Sequence, residues 1–246
     1  MPIAASKDVV AELAPTGALR AGINMSNFLL VTGKTASGDP DGVSPDMARA
    51  IAERLGVPAK LVPYKNPGLL ADAAVANEWD IGLIGAEPQR AETIAFSAAY
   101  CEIEATYLVP AGSALKTIAD VDRKGVRIAV TGRSAYGLWM DRNIKNAELV
   151  RSDTLDTALK QFVDEKLDAL AGLRPRLITD VATLPGARIL DGQFTAVQQA
   201  VGTPRKNMAG AKFLAAFVEE AKASGLVGRL IEHHKVVGRL SVAPPA

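Results

Sequence analysis

Arg90 is the residue whose type and position most clearly suggest binding chemistry. It follows a predicted strand at residues 79–84 and the loop Gly-Ala-Glu-Pro that begins at Gly85. A guanidinium stays charged and offers five donors in a planar fork, so it can hold a carboxylate through two parallel charge-assisted hydrogen bonds. The same arginine could instead lie on a helix surface and pair with Glu87 or Glu92. The residues alone leave both interpretations open.

The sequence contains none of the common catalytic or metal-binding motifs. There is no phosphate-binding loop and no Gly-x-Ser-x-Gly nucleophile turn. Cys101 is the single cysteine, which excludes an intramolecular disulfide and a cysteine-based metal cluster, and we expect it to be a small buried residue. His233 and His234 are adjacent near a predicted helix end, so they should point to different faces and be solvated. We therefore predict neither a metal nor a cofactor.

The composition is that of an ordinary globular protein long enough for two lobes. Of 246 residues, 48% are hydrophobic and 22% are charged, and the net charge is +1. No basic stripe is present, so we do not expect a nucleic-acid partner. No apolar run reaches the ~20 residues that span a bilayer, and the start MPIAASKDVV has no signal-peptide apolar region. A mature exported protein given a new initiating Met would begin in this way, as would a cytoplasmic protein.

The first part of the chain alternates between strand-like and helix-like stretches. Apolar residues at Met47, Ile51 and Leu55 keep a four-residue spacing that predicts a helix ended by Gly56. The predicted strands are residues 19–24, 60–64 and 79–84, and the predicted helices are residues 47–55 and 69–77. Strands joined by crossover helices predict a parallel α/β sheet with ligands near the carboxyl ends of its strands.

A second α/β series begins after the strand at residues 105–110. Its predicted strands are residues 126–130, 148–151 and 167–172. One predicted helix runs from Ser134 to about residue 143, and another covers residues 154–165 and is capped by Asp153 or Thr154. A third helix is predicted near residue 177. An extended segment at residues 195–202 and one or two amphipathic helices within residues 209–231 follow, and the tail from residue 236 should be loose or packed on the surface. Because the chain leaves the first sheet near Tyr107 and returns near Gln198, two crossings should form a hinge.

Five stretches together resemble the polar amino acid type of extracellular solute-binding protein. They are LRAGIN from Leu19, GVSPDMA from Gly42, WDIG from Trp79, RAETIAFSAAY from Arg90 and VRIAVTG from Val126. The Arg-x-x-x-Ile-x-Phe-Ser-x-x-Tyr stretch is the most specific, and the likeness extends almost from end to end.

This resemblance implies a type II periplasmic-binding-protein-like fold, with two α/β lobes joined by a two-segment hinge. Residues 1–108 and 200–246 would form lobe 1, and residues 109–199 would form lobe 2. A small carboxylate-bearing solute would be captured in the cleft between the lobes and delivered to the permease of a membrane ABC transporter. The resemblance also implies a periplasmic protein, and we expect it to act as a monomer.

The resemblance assigns site residues in both lobes. Arg90 is the carboxylate anchor, and the segment 131–134 lies where the family places backbone N–H groups and a hydroxyl at a helix N-terminus, which favours anions. Ser134 could equally be an ordinary N-cap. Arg133 either lines the cleft or is solvated, and Tyr136 could stack on the solute.

A first loop should supply an aromatic shelf from the same lobe as Arg90. The segment that follows the first strand, starting at Asn24, lacks the Tyr-x-Pro-Phe motif that is usual in the family. Asn24, Asn27 and Phe28 are the candidates here, although Phe28 could equally be a core residue.

The sequence departs from the family pattern where amino-acid binders hold the α-ammonium. The acid expected five residues after Asp168 is replaced by Leu173, and hydroxyl residues that usually precede the arginine are replaced by Gly85 and Glu87. We expect the ammonium site to be rebuilt around Glu87, Glu102 or Glu104, or to be missing. Arg174 suggests a second acceptor group on the solute, or is simply solvated.

Two other functions compete with solute binding. Cyclohexadienyl dehydratases resemble these binding proteins, but their chemistry needs a general acid, and Leu173 cannot donate a proton. Glu87 could stand in for it. The sensor lobe of a receptor would need a membrane helix or a signalling domain, neither of which this sequence contains. We therefore predict a binding protein that is not an enzyme.

Overall fold

The fold is given by a computed structural model, which describes residues 4–246. Met1-Pro-Ile, the start of the opening segment considered above, lies outside the described residues. The chain divides into two units. Unit 1 comprises residues 4–102 and 198–246, and unit 2 comprises residues 103–197.

Helices and strands alternate along most of the chain, and the predicted α/β class is confirmed. The helices are α1 (Lys7–Leu13), α2 (Val43–Leu55), α3 (Pro67–Asp72), α4 (Ala135–Asn143), α5 (Leu155–Asp164), α6 (Arg174–Val181), α7 (Met208–Ala223) and α8 (Leu226–His233). The strands are β1 (Leu19–Asn24), β2 (Gly33–Lys34), β3 (Pro40–Asp41), β4 (Ala59–Tyr64), β5 (Ile81–Gly85), β6 (Ile94–Val109), β7 (Arg127–Thr131), β8 (Glu148–Ser152), β9 (Ala169–Leu173), β10 (Arg188–Ile189), β11 (Thr195–Pro204) and β12 (Ser241–Val242). Short 3-10 turns occur at Arg90–Glu92 and Ile118–Asp120.

The sheet of unit 1 has a parallel part formed by β4, β1 and β5. In its register Asn24 lies opposite Tyr64, and Ile23 lies opposite Leu83. Strand β11 runs antiparallel to β5, and β6 lies beside β11. The parallel arrangement predicted from the alternating pattern is confirmed, and it brings the carboxyl ends of β1, β4 and β5 to one edge.

Apolar spacing explains how α2 and the sheet of unit 1 pack. Met47, Ile51 and Leu55 are buried on one face of α2, and Gly56 ends the helix in the left-handed conformation (φ 72°). On the sheet, the indole of Trp79 is fully buried and its Nε1 donates to the carbonyl of Leu70 at 2.9 Å. A Cβ on Gly22 or Gly82 would approach this indole to 3.1 Å, so glycines let it lie flat against β1 and β5.

The strands that contribute to unit 2 pair in the order β8-β7-β9-β6. Strand β7 is parallel to β8 and β9, while β9 is antiparallel to β6. Its core contains Leu108, Ala129, Ala158, Phe162, Leu167, Leu170 and Leu177. Thr154 caps α5 by accepting from the N–H of Thr157, as one of the two predicted alternatives requires. Strands β6 and β11 each contribute residues to both units.

One predicted boundary is wrong, and the C-terminal tail takes the second of its two predicted forms, packed on the surface. Helix α3 ends at Asp72, and the chain then turns until Asn77, which takes a left-handed conformation (φ 57°). The C-terminal tail packs as β12 against β6, with Val242 opposite Cys101. Among residues 4–246, none of the helices combines the length and apolar character needed to cross a bilayer.

Candidate functional site

The carboxyl edge of the parallel strands in unit 1 carries one group of predicted site residues. Asn24 ends β1, Tyr64 ends β4 and Gly85 ends β5. Because parallel strands end at the same edge, the loop after Asn24 and the loop after Gly85 are neighbours, which is where α/β sheets bind ligands. The structure therefore places the starts of both predicted site loops at the same edge of the sheet.

Arg90 is buried at this edge, with 5% of its surface exposed. Its Nη1 donates to the carbonyl oxygen of Gly85 at 2.7 Å, which holds the guanidinium beside the end of β5. Glu87 is equally buried, and its Oε2 accepts from the backbone N–H of Gln89 at 2.9 Å. Arg90 begins the short 3-10 turn, but its burial is inconsistent with the surface position that the alternative interpretation gave it. A buried carboxylate and a buried cation, three residues apart in the sequence, thus follow β5.

The loop after β1 is braced by its own asparagines. Asn24 Oδ1 accepts from the N–H and hydroxyl of Ser26 at 3.2 and 2.8 Å. Asn27 is buried, and its Oδ1 accepts from the N–H groups of Leu29 and Leu30 at 3.2 and 3.3 Å. These bonds are typical of asparagine-stabilised turns, so both side-chain oxygens shape the loop.

Phe28, in the same loop, is only half-buried and therefore does not belong to the fully buried core. The guanidinium carbon of Arg239 lies 5.7 Å from the centre of its ring, within the range of a cation–π contact. The predicted aromatic shelf at this position stays a prediction.

Unit 2 presents the N-terminus of α4 at the carboxyl end of β7. Ser134 is the N-cap, since its Oγ accepts from the N–H of Gly137 at 3.0 Å and donates to the carbonyl of Thr131 at 2.7 Å. A Cβ on Gly137 would lie 2.6 Å from the Thr131 carbonyl oxygen, so glycine permits this close approach. Arg133 is exposed and takes the left-handed conformation (φ 57°), which is uncommon for a side-chain-bearing residue. The capping role of Ser134 leaves the first-turn N–H groups and the helix dipole directed outward from the strand end.

Two buried hydroxyls lie beside this helix N-terminus. Within residues 4–246, neither Thr131 Oγ1 nor the Tyr136 hydroxyl makes a hydrogen bond of good geometry. Burial raises the pKa of Tyr136, and the neighbouring hydroxyls of Thr131 and Ser134 partly oppose that rise. A buried hydroxyl without a well-formed hydrogen bond is destabilising, so a ligand that bonded to either group would relieve part of a penalty of about 1–3 kcal/mol.

An ion-pair network joins α5 and α6, and the sequence interpretation missed it. Arg176 donates from Nε to Asp180 at 2.8 Å and from Nη2 to Asp156 at 2.6 Å. Burial raises the pKa of Asp180, and its pair with Arg176 counteracts this rise. Arg176 and Asp180 are four residues apart on a predicted helix, and this spacing was the available signal. Thr131 belongs to the predicted segment 131–134, but its side-chain hydroxyl was not singled out.

The start of α6 carries the two residues that depart from the family pattern. Leu173 is the N-cap of α6, is 8% exposed and makes no capping hydrogen bond with its side chain. Arg174 donates from Nε to Glu104 Oε2 at 2.6 Å, and its Nη2 donates to the carbonyl of Gly192. Arg174 is therefore held within unit 2 rather than simply solvated, and Glu104 already has a cationic partner. The register that pairs Ala129 with Leu170 brings the ends of β7 and β9 to one edge.

Two expectations about cysteine and histidine have different outcomes. Cys101 is buried in β6, as predicted, and burial raises the pKa of its thiol to about 12, which keeps it unreactive. The expectation that both histidines are solvated is wrong for His234, whose side chain is 4% exposed. His234 and His233 lie near Asp46, so among the described residues this group has the composition of a metal-binding cluster.

Solved structures of several binding proteins share this fold. A putative ABC transporter binding component from Wolinella succinogenes, complexed with lysine, is 23% identical (TM-score 0.72; 89% of this chain and 95% of that chain covered). An amino acid ABC transporter substrate-binding protein from Streptococcus pneumoniae, bound to L-arginine, is 19% identical (TM-score 0.72; 90% and 96% covered). An ancestral amino acid-binding protein, described as a precursor of cyclohexadienyl dehydratase, is 21% identical (TM-score 0.72; 91% and 98% covered). At these identities the likeness establishes the fold alone.

Sequence comparison identifies the family. No curated protein sequence matches this one. The model of the bacterial extracellular solute-binding proteins, family 3, matches residues 19–235, which is most of the chain. The chain therefore belongs to family 3 of the bacterial extracellular solute-binding proteins.

Proposed function

We propose that this protein is the solute-binding component of an ABC transporter. It would act outside the cytoplasm and carry a small carboxylate-bearing solute to a permease in the membrane. Family membership over residues 19–235 supports the solute-binding role. The structures from Wolinella succinogenes and Streptococcus pneumoniae, both described as ABC transporter binding proteins, support the transport role.

The observation that carries the carboxylate assignment is the position of Arg90. A guanidinium is always charged, and here it is buried at the carboxyl edge of β5, where the carbonyl of Gly85 orients it. An arginine in this environment suits two parallel hydrogen bonds to a carboxylate, because the low local dielectric strengthens them. The proposed solute therefore binds through its carboxylate to Arg90.

The N-terminus of α4 is the proposed second contact. Its first-turn N–H groups and dipole favour an anionic or polar acceptor, and the hydroxyls of Thr131 and Tyr136 lie beside it. We infer that unit 1 and unit 2 act as the two lobes expected from the resemblance, whose predicted boundaries lie within a few residues of theirs, and that they close on the solute about β6 and β11. The solute would then be held by groups from both lobes.

The proposed solute is not a plain α-amino acid. Leu173 has an apolar side chain at the position where the resemblance places an acid in amino-acid binders of this family. An ammonium group there would lose its hydration without gaining a counter-charge. Glu104 is paired with Arg174 and is poorly suited to replace that acid. Glu87, buried three residues before Arg90, and Glu102 are the remaining predicted candidates, and either could receive an ammonium from unit 1.

A thermal-shift screen of mono- and dicarboxylates, including aromatic acids, against the standard amino acids tests this proposal. We expect carboxylates to raise the unfolding midpoint saturably, because binding to the native state stabilises it by mass action. A Glu87→Gln variant keeps the side-chain shape and removes the charge. Strong stabilisation by one amino acid that disappears in Glu87→Gln would show a relocated ammonium site, and stabilisation by no carboxylate at all would refute the assignment.

We propose binding rather than catalysis. The ancestral protein described as a precursor of cyclohexadienyl dehydratase has the same fold, so the fold is compatible with an enzyme. However, Leu173 cannot supply a proton, and Glu87 would have to serve as the general acid. Incubation with arogenate and prephenate separates the two functions: turnover that Glu87→Gln abolishes would establish an enzyme, whereas binding without turnover is the expected result.

A further inference from the structure

We propose that Asp46, His233 and His234 form a binding site in unit 1 for a divalent transition metal of the zinc type. Asp46 lies in the first turn of α2, and the histidines lie at the end of α8. Their candidate ligand atoms, one from each residue, all lie within 4.8 Å of one another. The chain has only two histidines, and both belong to this cluster.

The carboxylate of Asp46 is oriented for such a site. Its Oδ1 accepts from Arg49 Nη1 at 2.7 Å, while its Oδ2 lies 2.7 Å from Nε2 of His234. Arg49 is itself anchored by a second hydrogen bond, from Nη2 to the carbonyl of Pro40 at 3.1 Å. The two carboxylate oxygens therefore have different roles, and Oδ2 is the one directed at the histidines.

His234 is held in a suitable orientation from its other side. Its side chain is 4% exposed, and Nδ1 lies 3.5 Å from the hydroxyl of Thr32. A histidine that binds a metal through Nε2 carries its hydrogen on Nδ1, where an oxygen partner commonly fixes the ring. Thr32 is placed to be that partner, after a shift of a few tenths of an ångström.

His233 supplies the third ligand and distinguishes this cluster from a simple hydrogen-bonded pair. Its ring centre is 4.8 Å from that of His234, and the rings are nearly perpendicular (83°). Metal–ligand bonds of about 2.0–2.2 Å in a tetrahedral site require ligand atoms about 3.3 Å apart. The exposed His233 can cover the remaining distance by rotating its side chain, which leaves the fourth position to water.

Imidazole nitrogens with one carboxylate oxygen suit Zn²⁺, Ni²⁺ and Cu²⁺ better than Mg²⁺ or Ca²⁺, which prefer all-oxygen sites. A bound ion would replace the hydrogen between His234 and Asp46 and join α8 to α2 within unit 1. The proposed consequence is a metal-dependent rise in the stability of this unit, independent of the solute.

Isothermal titration of Zn²⁺ into the full chain, prepared without a histidine tag and stripped with a chelator, tests the site. We expect one ion to bind, and the affinity to fall about tenfold or more in His233→Gln and in Asp46→Asn, since loss of a ligand should exceed the effect of losing a supporting group. His233→Gln is informative because this exposed side chain makes no contribution to the Asp46–His234 hydrogen bond. Lys235→Gln, a neighbouring exposed position, is the matched control and should leave the affinity unchanged.

Nuclear magnetic resonance of the imidazoles gives a second readout. With two histidines in the chain, both sets of ring signals should shift together as one equivalent of Zn²⁺ is added, whereas one equivalent of Mg²⁺ should shift neither. Absence of saturable Zn²⁺ binding would overturn the proposal. So would binding with the same affinity in wild type, His233→Gln and Asp46→Asn.

Discussion

Replacing Arg90 by alanine should remove the proposed carboxylate anchor. The guanidinium is 5% exposed and hydrogen-bonded to Gly85, so it is held in place before the solute arrives. Little conformational entropy should then be lost on binding, which increases the free energy that the arginine contributes. Replacing Arg90 should therefore weaken solute binding more than replacing an exposed arginine would.

The expected loss follows from breaking a buried charge pair on one side. Removing one member leaves the solute carboxylate desolvated without a partner, at a penalty of about 2–5 kcal/mol. This corresponds to a dissociation constant that is weaker by about 30-fold to about 4000-fold. Arg90→Lys keeps the charge but loses the two-pronged geometry, so its effect should be intermediate.

Isothermal titration with the best carboxylate from the thermal-shift screen measures this loss, and circular dichroism confirms that each variant is folded. Arg20→Ala is the matched control: Arg20 pairs with Asp80 at 2.7 Å in the same unit, where β1 begins, so its loss should lower stability but not affinity. A folded Arg90→Ala protein whose dissociation constant equals that of wild type would refute the anchor role.

Three further predictions concern closure, the α4 N-terminus and pH. The radius of gyration from small-angle scattering should decrease with a bound carboxylate and stay constant with a non-binder, and equal radii at saturation would contradict hinge closure. Tyr136→Phe should leave the unfolding midpoint unchanged or higher, since the hydroxyl makes no hydrogen bond of good geometry in the described residues, yet weaken solute binding about 2- to 10-fold; a lower midpoint would contradict this. Burial acts to raise the pKa of Asp122, but hydrogen bonds from the N–H groups of Ala147, Asn146 and Lys145 outweigh it, so the pKa is lowered overall. The Asp122 carboxylate therefore stabilises the folded state fully above about pH 4, and this stabilisation is lost as the pH falls through the lowered pKa. Asp122→Ala should therefore cost about 1 kcal/mol at neutral pH, after allowance for solvent screening, and this difference in unfolding free energy should narrow in acid; a constant difference would contradict it.

Local signals predicted the elements that depend on local physics. Four-residue apolar spacing and Gly56 predicted α2 and its end, and Thr154 was one of two predicted caps for α5. Alternation of strands and helices predicted the parallel order of β1, β4 and β5, because short crossovers leave few other topologies. These features are determined by residues that are close in sequence and by the handedness of the chain.

Features that depend on distant partners were not predictable in the same way. The tail at Ser241–Val242 becomes a strand because it pairs with Glu102 and Cys101 of β6, and no local pattern in the tail indicates that partner. His234 is buried because Asp46, far away in sequence, lies next to it. Within the candidate site, the strand-end positions of Arg90 and Ser134 were visible in the sequence. The network of Arg176, Asp180 and Asp156 was not, because Asp156 comes from a different helix.

A crystal structure of the protein with the carboxylate that stabilises it most would test the central claim most directly. We expect the solute carboxylate to accept two hydrogen bonds from the guanidinium of Arg90, and a further acceptor of the solute to contact the α4 N-terminus near Ser134. A solute bound with no contact between its carboxylate and Arg90 would refute the role of Arg90 as the anchor.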